Sequence, residues 1–437
     1  MRPSDIHCSN GIYIDKELPG DKSISHRAAI IAAIADGESV IQNSATGDDL
    51  VSTLQCLSQL GVEIETSATE IRVKGQGLNG LRKPDRHLDC GNSGTTARLL
   101  AGVLAGQPFE SVLIGDESLS RRPMGRIAIP LRRMGAGIKI SDNGTLPMTI
   151  SGSTLMGLSH TLEVASAQVK SCLLLAGLCA EGETAIFETI PTRDHTERLL
   201  PFIRKEILHD GHKLTVHGRC SISPFNLTVP GDFSSAAFLI AAGILIPDSH
   251  IRLRRVGLNP TRTGLLDVLG EMGARVTIEN HVEDAIEPYG DLVVSYHGET
   301  LQGCLLDEKI IPSLIDEIPI LAVIGTRTNS GLEIRYASEL RYKECDRIMA
   351  LVYNLRQMGA EVDEFEDGLF VHPSSLRPAG IKTFGDHRIA MAFVIAAMAA
   401  GGVSTIDDSE CIEISFPGFM KYMGIEPTEC HREFLSC

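Results

Sequence analysis

The stretches "LRRMGAGIKI" at 131–140, "LGEMGARVTI" at 269–278 and "LRQMGAEVDE" at 355–364 share one grammar: a helix end, a glycine stop and a short alternating strand. Weaker copies stand at 57–64 ("LSQLGVEI"), 208–216 ("LHDGHKLTV") and 420–427 ("MKYMGIEP"). Their glycines fall at 61, 135, 211, 273, 359 and 424, six copies spaced 62 to 86 residues apart. Self-similarity on that scale marks an architecture built from repeated units.

A second series interleaves with the first. Its members are "GDKSISHRAAI" from 20, "GNSGTTARLLAGVLAG" from 91, "SAQVKSCLLLAGLCAEG" from 166, "GDFSSAAFLIAAGILI" from 231, "DEIPILAVIGT" from 316 and "GDHRIAMAFVIAAMAAGG" from 385. Most open with small or acidic polar residues and run into a helix that is apolar nearly all round. Such a helix belongs in a protein interior, and its small residues allow close helix packing. The chain therefore reads as an α/β protein of six units, each a buried helix, strand material, a more amphipathic helix and another strand. "LPGD" at 18–21 and "VPGD" at 229–232 nearly coincide, which places three units in each half. The expected domains are 20–229 and, together, 1–19 with 230–437, with hinge motion about Pro19–Gly20 and Pro230–Gly231.

Composition narrows the function. A chain of 437 residues with 43% hydrophobic and 22% charged residues has the make-up of a globular protein of two or three domains. The apolar runs at 236–246 and 389–400 are too short to span a bilayer, and "MRPSDIHCSN" at the start lacks a signal-peptide core. The eleven cysteines include no CxxC pair and read as reduced thiols of a cytoplasmic protein; "CHREFLSC" at the end reads as a polar tail. A net charge of −16 with no Trp and 5% aromatic residues argues against nucleic acid and against anionic membranes as partners. Any anion site must then be a local basic cluster on an acidic protein.

The starts of the buried helices supply such clusters. "GDKSISHR" fails the phosphate-loop pattern, because Asp21 precedes Lys22 where that pattern needs glycine. A lysine at a helix start still lies beside unpaired N–H groups and the positive dipole end. Lys22 and His26 share one helix face, as do Ser23 and Arg27. Asn92, Ser93, Gly94 and Thr95 form a donor-rich turn; Ser166, Gln168 and Lys170 open the third helix; Asp386, His387 and Arg388 open the sixth. If all six helices point their starts into the gap between halves, these groups converge there. Arg121 and Arg122 precede Pro123, Arg193 lies at a further helix entry, and Lys343 and Arg347 flank Glu344. Arg121, Lys170 and His387 read as surface or support groups. Asp316, opening an apolar helix, and Glu344, between two cations, are candidates for proton transfer, with Glu317 a competitor and a plain helix cap the alternative at Asp316.

Together "GDKSISHR", "GNSGTTAR", "SAQVKS", "TRDHTE", "YKECDRI" and "GDHRIAM" resemble the 5-enolpyruvylshikimate-3-phosphate synthase family, over about residues 18 to 420. The resemblance implies two domains, each of three βαβαββ units, closing on substrate like a clamp around an interdomain active site. It implies transfer of the enolpyruvyl group of phosphoenolpyruvate to the 5-hydroxyl of shikimate 3-phosphate, without metal or cofactor, by a monomer. By matched positions, Lys22, Asn92, Gly94, Arg122, Gln168, Arg347 and Arg388 would surround phosphoenolpyruvate. Lys22, Ser23, Arg27, Ser166, Ala167, Gln168, Arg193, Asp316 and Lys343 would hold shikimate 3-phosphate. Asp316 would act on the hydroxyl and Glu344 on the methylene carbon, with Lys22 assisting. The chain departs from the plant and enterobacterial pattern at Ala167, at Glu339 (asparagine there) and at Ile414 (lysine there), and "SAQVKS" looks like a divergent bacterial subgroup. Lys170 and Arg193 are candidates to replace the lost contacts.

Three rival readings are weaker. UDP-N-acetylglucosamine enolpyruvyl transferase uses a loop cysteine that "FESVLIGDESLSRRP" at 109–123 lacks. RNA 3′-phosphate cyclase fits poorly with the acidic charge. A two-domain anion-binding protein leaves Asp316 and Glu344 unexplained.

Overall fold

The computed structural model describes residues 4–7, 11–200, 208–219 and 221–425. The terminal "CHREFLSC" and most of "MRPSDIHCSN" lie outside them. The described residues form six small sheets, and five of them have four strands in the same order. In one, Leu88–Asp89 pairs parallel with Glu110–Ile114, which pairs antiparallel with Met148–Ser151, which pairs antiparallel with Gly137–Lys139. A parallel pair needs a crossover. Here it is the buried helix Gly94–Ala105, so the unit runs βαβαββ once Gly125–Arg133 is counted. The sixth sheet has three described strands, Gly380–Ile381, Val403–Ile406 and Ser4–His7.

All six repeat glycines have positive φ, from +57° at Gly211 to +110° at Gly135, a conformation that costs glycine nothing. Five of them follow helices. The exception is Gly211, where the sequence grammar called for a helix end. Leu208–Asp210 is instead a strand that turns at Gly211 and pairs with Lys213–His217. Tight turn and helix stop demand the same left-handed backbone, so the glycine alone cannot tell them apart.

The two chain crossings are built by exchanged strands. Tyr13–Glu17 pairs with His250–Gly257, whereas Asn226–Thr228 returns to pair with Glu38–Gln42. Between them the crossings bind each other: Asp21 N donates to Pro230 O at 2.8 Å and Asp232 N to Pro19 O at 3.0 Å. One apolar core runs from Ile24 to Val229, and a second takes Ile6 to Leu18 with Phe233 to Met423. The inner helices are buried nearly all round; in His387–Ala400 every residue from His387 to Met398 is buried.

Small residues let these helices touch. A Cβ placed on Gly102 would come within 2.2 Å of the backbone oxygen of Cys172 on the neighbouring inner helix, Ala167–Cys179. Alanine favours a helix over glycine by about 1 kcal/mol, but parting two packed helices costs about 1–3 kcal/mol. Gly270, in the helix Gly264–Glu271, has nothing within 4 Å of the same position. We expect Gly102→Ala to lower the melting temperature and Gly270→Ala to raise it slightly. Calorimetry showing a gain at Gly102 would contradict this packing.

Candidate active site

Five of the six inner helices send their N-termini to one cavity of about 490 Å³, a size that suits small ligands. Lys22 and Ser23 come from the first helix, Gly94 and Thr95 from the second, and Ser166 to Val169 from the third. Ile315 and Asp316 precede the fifth, and His387 and Arg388 open the sixth. Side-chain caps fix four of these starts, with Asp21 accepting from Ile24 N, Ser93 from Thr96 N, Ser166 from Val169 N and Asp386 from Arg388 N. The fourth inner helix does not join them, contrary to the sixfold expectation. Its start is taken up at the crossing, where Asp232 accepts from Lys22 N at 3.0 Å and caps its own helix through Ser234 N.

The cavity is lined by eight Lys or Arg side chains and six Asp or Glu side chains, on a chain whose net charge is −16. Its cations are held by carboxylates. Asp316 receives Arg193 at 2.6 Å, Lys343 at 3.3 Å, Arg347 at 3.4 Å and Arg388 at 3.8 Å. Burial alone would push its carboxyl pKa up, but these four cations hold it well below the usual 3.8. Glu344 receives Arg347 at 2.6 Å and Arg122 at 3.5 Å. It too is held well below its usual 4.5, because those arginines outweigh burial. Arg347, 1% exposed, is also locked by Asp386 at 2.7 Å. Lys22 Nζ rests 2.8 Å from Asp49. Asp316 is not a plain helix cap: the cap position belongs to Glu317, which makes no capping bond.

The profile of the EPSP synthase (3-phosphoshikimate 1-carboxyvinyltransferase) family matches residues 14–423. The chain belongs to the EPSP synthase family. It is 47% identical over 408 residues to the 3-phosphoshikimate 1-carboxyvinyltransferase of Syntrophomonas wolfei, covering 93% of this chain and 95% of that one. To the protein of the same name from Salinibacter ruber it is 48% identical, covering 92% and 94%. The solved EPSP synthase of Acinetobacter baumannii superposes with a TM-score of 0.85 at 39% identity, covering 97% and 98%. The enolpyruvyl transferase NikO of Streptomyces tendae shares the fold, with a TM-score of 0.76 at 17% identity over 97% of each chain.

Against the positions that the EPSP synthase family implies, the cavity brings together Lys22, Ser23, Asn92, Gly94, Arg122, Ser166, Ala167, Gln168, Arg193, Asp316, Lys343, Glu344, Arg347 and Arg388. Arg27 is not among its lining residues. Its three guanidinium nitrogens donate to Thr196 Oγ1, Ser23 O and Ser171 Oγ, so it lies one layer behind Ser23. Of the three residues read as support groups, Arg121 pairs on the surface with Glu117 and Lys170 is fully buried. His387, in contrast, lines the cavity.

Several residues escaped the sequence reading. Arg98 lines the cavity and donates to Gln168 Oε1 at 2.5 Å, and a Cβ on Gly94 would meet its guanidinium at 2.7 Å. Arg126 forms a bidentate pair with Glu339, at 2.7 and 2.9 Å. Each lies four residues after a candidate, Gly94 or Arg122, and that spacing was the available signal. Asp49 carried none. Ile414, read as a departure from the family pattern, does not line the cavity.

Two buried histidines set a pH response. Burial, reinforced by Lys22, lowers His387 to about 4, and burial lowers His26 to about 3, both from 6.5. Above pH 6.5 both are neutral, folded or unfolded. Below it the unfolded chain gains protons that the folded one refuses, so stability falls as pH falls towards about 4. Asp316 and Glu344 add their own loss only near and below their ordinary values of 3.8 and 4.5. Denaturant titrations should therefore show stability falling by roughly 1 kcal/mol per pH unit per histidine between about pH 6 and 5. His26→Asn should flatten that slope; an unchanged slope would show that His26 does not contribute.

Proposed function

We propose that this cavity joins phosphoenolpyruvate to the 5-hydroxyl of shikimate 3-phosphate and releases phosphate, the 3-phosphoshikimate 1-carboxyvinyltransferase reaction of its relatives. The observation that carries the reading is a cavity with eight cations on an acidic chain, containing two cation-held carboxylates, the buried Asp316 and the half-buried Glu344. Each substrate bears a phosphate and a carboxylate. Fixed cations bring these four anionic groups together without reorganisation during the reaction.

Arg122, Arg347 and Arg388 hold phosphoenolpyruvate, with Lys22, Asn92, Gly94 and Gln168 shaping its subsite. Ser23, Ser166, Ala167, Gln168, Arg193 and Lys343 hold shikimate 3-phosphate, and Arg27 supports Ser23 from behind. The hydroxyl oxygen bonds to C2 of the enol as its proton leaves towards Asp316, while the methylene carbon takes a proton from Glu344, assisted by Lys22. Loss of a proton from the resulting methyl group then restores the double bond and expels phosphate. Glu344 begins ionised, paired with Arg347 and Arg122. A substrate phosphate that draws those arginines away raises the Glu344 pKa, so the group can carry a proton when it is needed.

Residues 20–229 form one half of the clamp, and 1–19 with 230–437 form the other. Both sides of the cavity come from one chain, which supports action as a monomer. No helix among the described residues is long and apolar enough to cross a membrane.

Phosphate should appear only when both substrates are present. Asp316→Ala should lower kcat by at least about a hundredfold while weakening shikimate 3-phosphate binding far less. Glu344→Gln should slow deuterium entry from heavy water into the product methylene group, read by mass spectrometry. Exchange at the wild-type rate would move the carbon acid to Lys22. Phosphate release with UDP-N-acetylglucosamine as acceptor would overturn the substrate assignment.

A further inference from the structure

Lys170 lies in the first turn of the apolar inner helix Ala167–Cys179, with its side chain 1% exposed. Its ammonium lies 2.6 Å from Glu197 and 3.0 Å from Glu188, and donates to Thr192 O at 3.2 Å. The other oxygen of Glu188 accepts from Thr192 N at 3.2 Å and Thr192 Oγ1 at 2.6 Å. Both ends of the segment 188–197 are thus tied to one buried cation. From the middle of that segment Arg193 reaches across the cavity to Asp316 at 2.6 Å.

Stability does not explain this arrangement. A buried charge cluster is commonly no more stable than apolar residues of the same volume, and its better-attested use is to select one geometry. The geometry selected here is that of a loop that presents the Arg193 guanidinium to the cavity. Ser166 and Gln168, on the same helix as Lys170, also face the cavity. A single rigid helix therefore sets the direct contacts and, through Lys170, the reach of Arg193.

We propose that Lys170 is a positioning residue for the shikimate 3-phosphate subsite, acting through Arg193 by fixing both ends of the 188–197 loop. This rests on the reading above that Arg193 binds shikimate 3-phosphate. Lys170 touches neither substrate. It keeps the Arg193 side chain aimed into the cavity, so its loss scatters the guanidinium over many positions.

The test is a double-mutant cycle on the full-length enzyme, with KM for each substrate, kcat and the melting temperature measured for every variant. Lys170→Met should raise KM for shikimate 3-phosphate by about tenfold or more, while KM for phosphoenolpyruvate changes less than about threefold. Added to Arg193→Ala, the same change should raise KM for shikimate 3-phosphate by less than about twofold further, because the group it positions is gone. Thr192→Val, which keeps the ion pairs and frees only a tie of the loop, serves if Lys170→Met does not fold. It should raise the same KM by about threefold, again only when Arg193 is present.

The proposal fails if the Lys170→Met and Arg193→Ala effects multiply, or if both substrates' KM values rise in parallel. It fails equally if folded variants lose melting temperature and keep a wild-type KM. An Arg193→Ala enzyme with unchanged KM for shikimate 3-phosphate would instead remove the assignment of Arg193 itself, and the proposal with it.

Discussion

Eight cations crowded into one cavity would repel one another, by about 1 kcal/mol per pair at 4 Å in water and about 4 kcal/mol in a partly buried site. The fold meets this constraint with carboxylates that come mostly from the other half of the chain or from another helix. Asp316 gathers Arg193, Lys343, Arg347 and Arg388, Glu344 gathers Arg347 and Arg122, and Asp386 locks Arg347 from behind. These pairs keep the cations aimed at the cavity before any ligand arrives, which is the condition for electrostatic catalysis. In the proposed reaction, two of the same carboxylates would supply the acid–base groups, gaining proton affinity as substrate phosphates and carboxylates compete for the cations.

The repeated unit explains why such a cavity exists at all. In four of the six sheets a buried helix crosses over between the parallel strands, and in the other two the parallel partner is an exchanged strand. Five of the inner helix starts meet at the cavity, and the exchanged strands at the crossings tie each sheet to a distant part of the chain. The fourth helix departs from the pattern because its start serves the crossing. There Arg262 lies 3.5 Å from Asp21 and 3.7 Å from Asp232, and binds Ser234 Oγ at 2.7 Å. The backbone of Lys22 is thereby anchored to the opposite half while its ammonium faces the cavity.

Much of this could be read without coordinates. Six glycines at recurring positions announced six left-handed stops, and all six have that backbone. Ala-rich segments announced inner helices, and Gly102 shows how closely they pack. The helix-start motifs announced the cationic cavity. What went astray was local in cause. Gly211 turns a hairpin because helix ends and tight turns ask for the same φ. Arg27 does meet Ser23 at their four-residue spacing, through Ser23 O, but its other two guanidinium nitrogens are taken by Thr196 and Ser171, contacts that no spacing announces.

The sequence by itself determined the period, the buried helices and the inventory of charged groups. These follow from interactions between residues a few positions apart, and such spacing is written directly in the chain. Only the tertiary structure decided which charge meets which. Arg193 and Asp316 stand 123 residues apart, and Lys22 and Asp232 stand 210 apart. Whether Lys170 is a surface group or a buried anchor, and whether His387 supports the site or lines it, depends on contacts of that range. No local pattern encodes them, because a side chain's charge state and direction are set by whatever the folded chain packs against it.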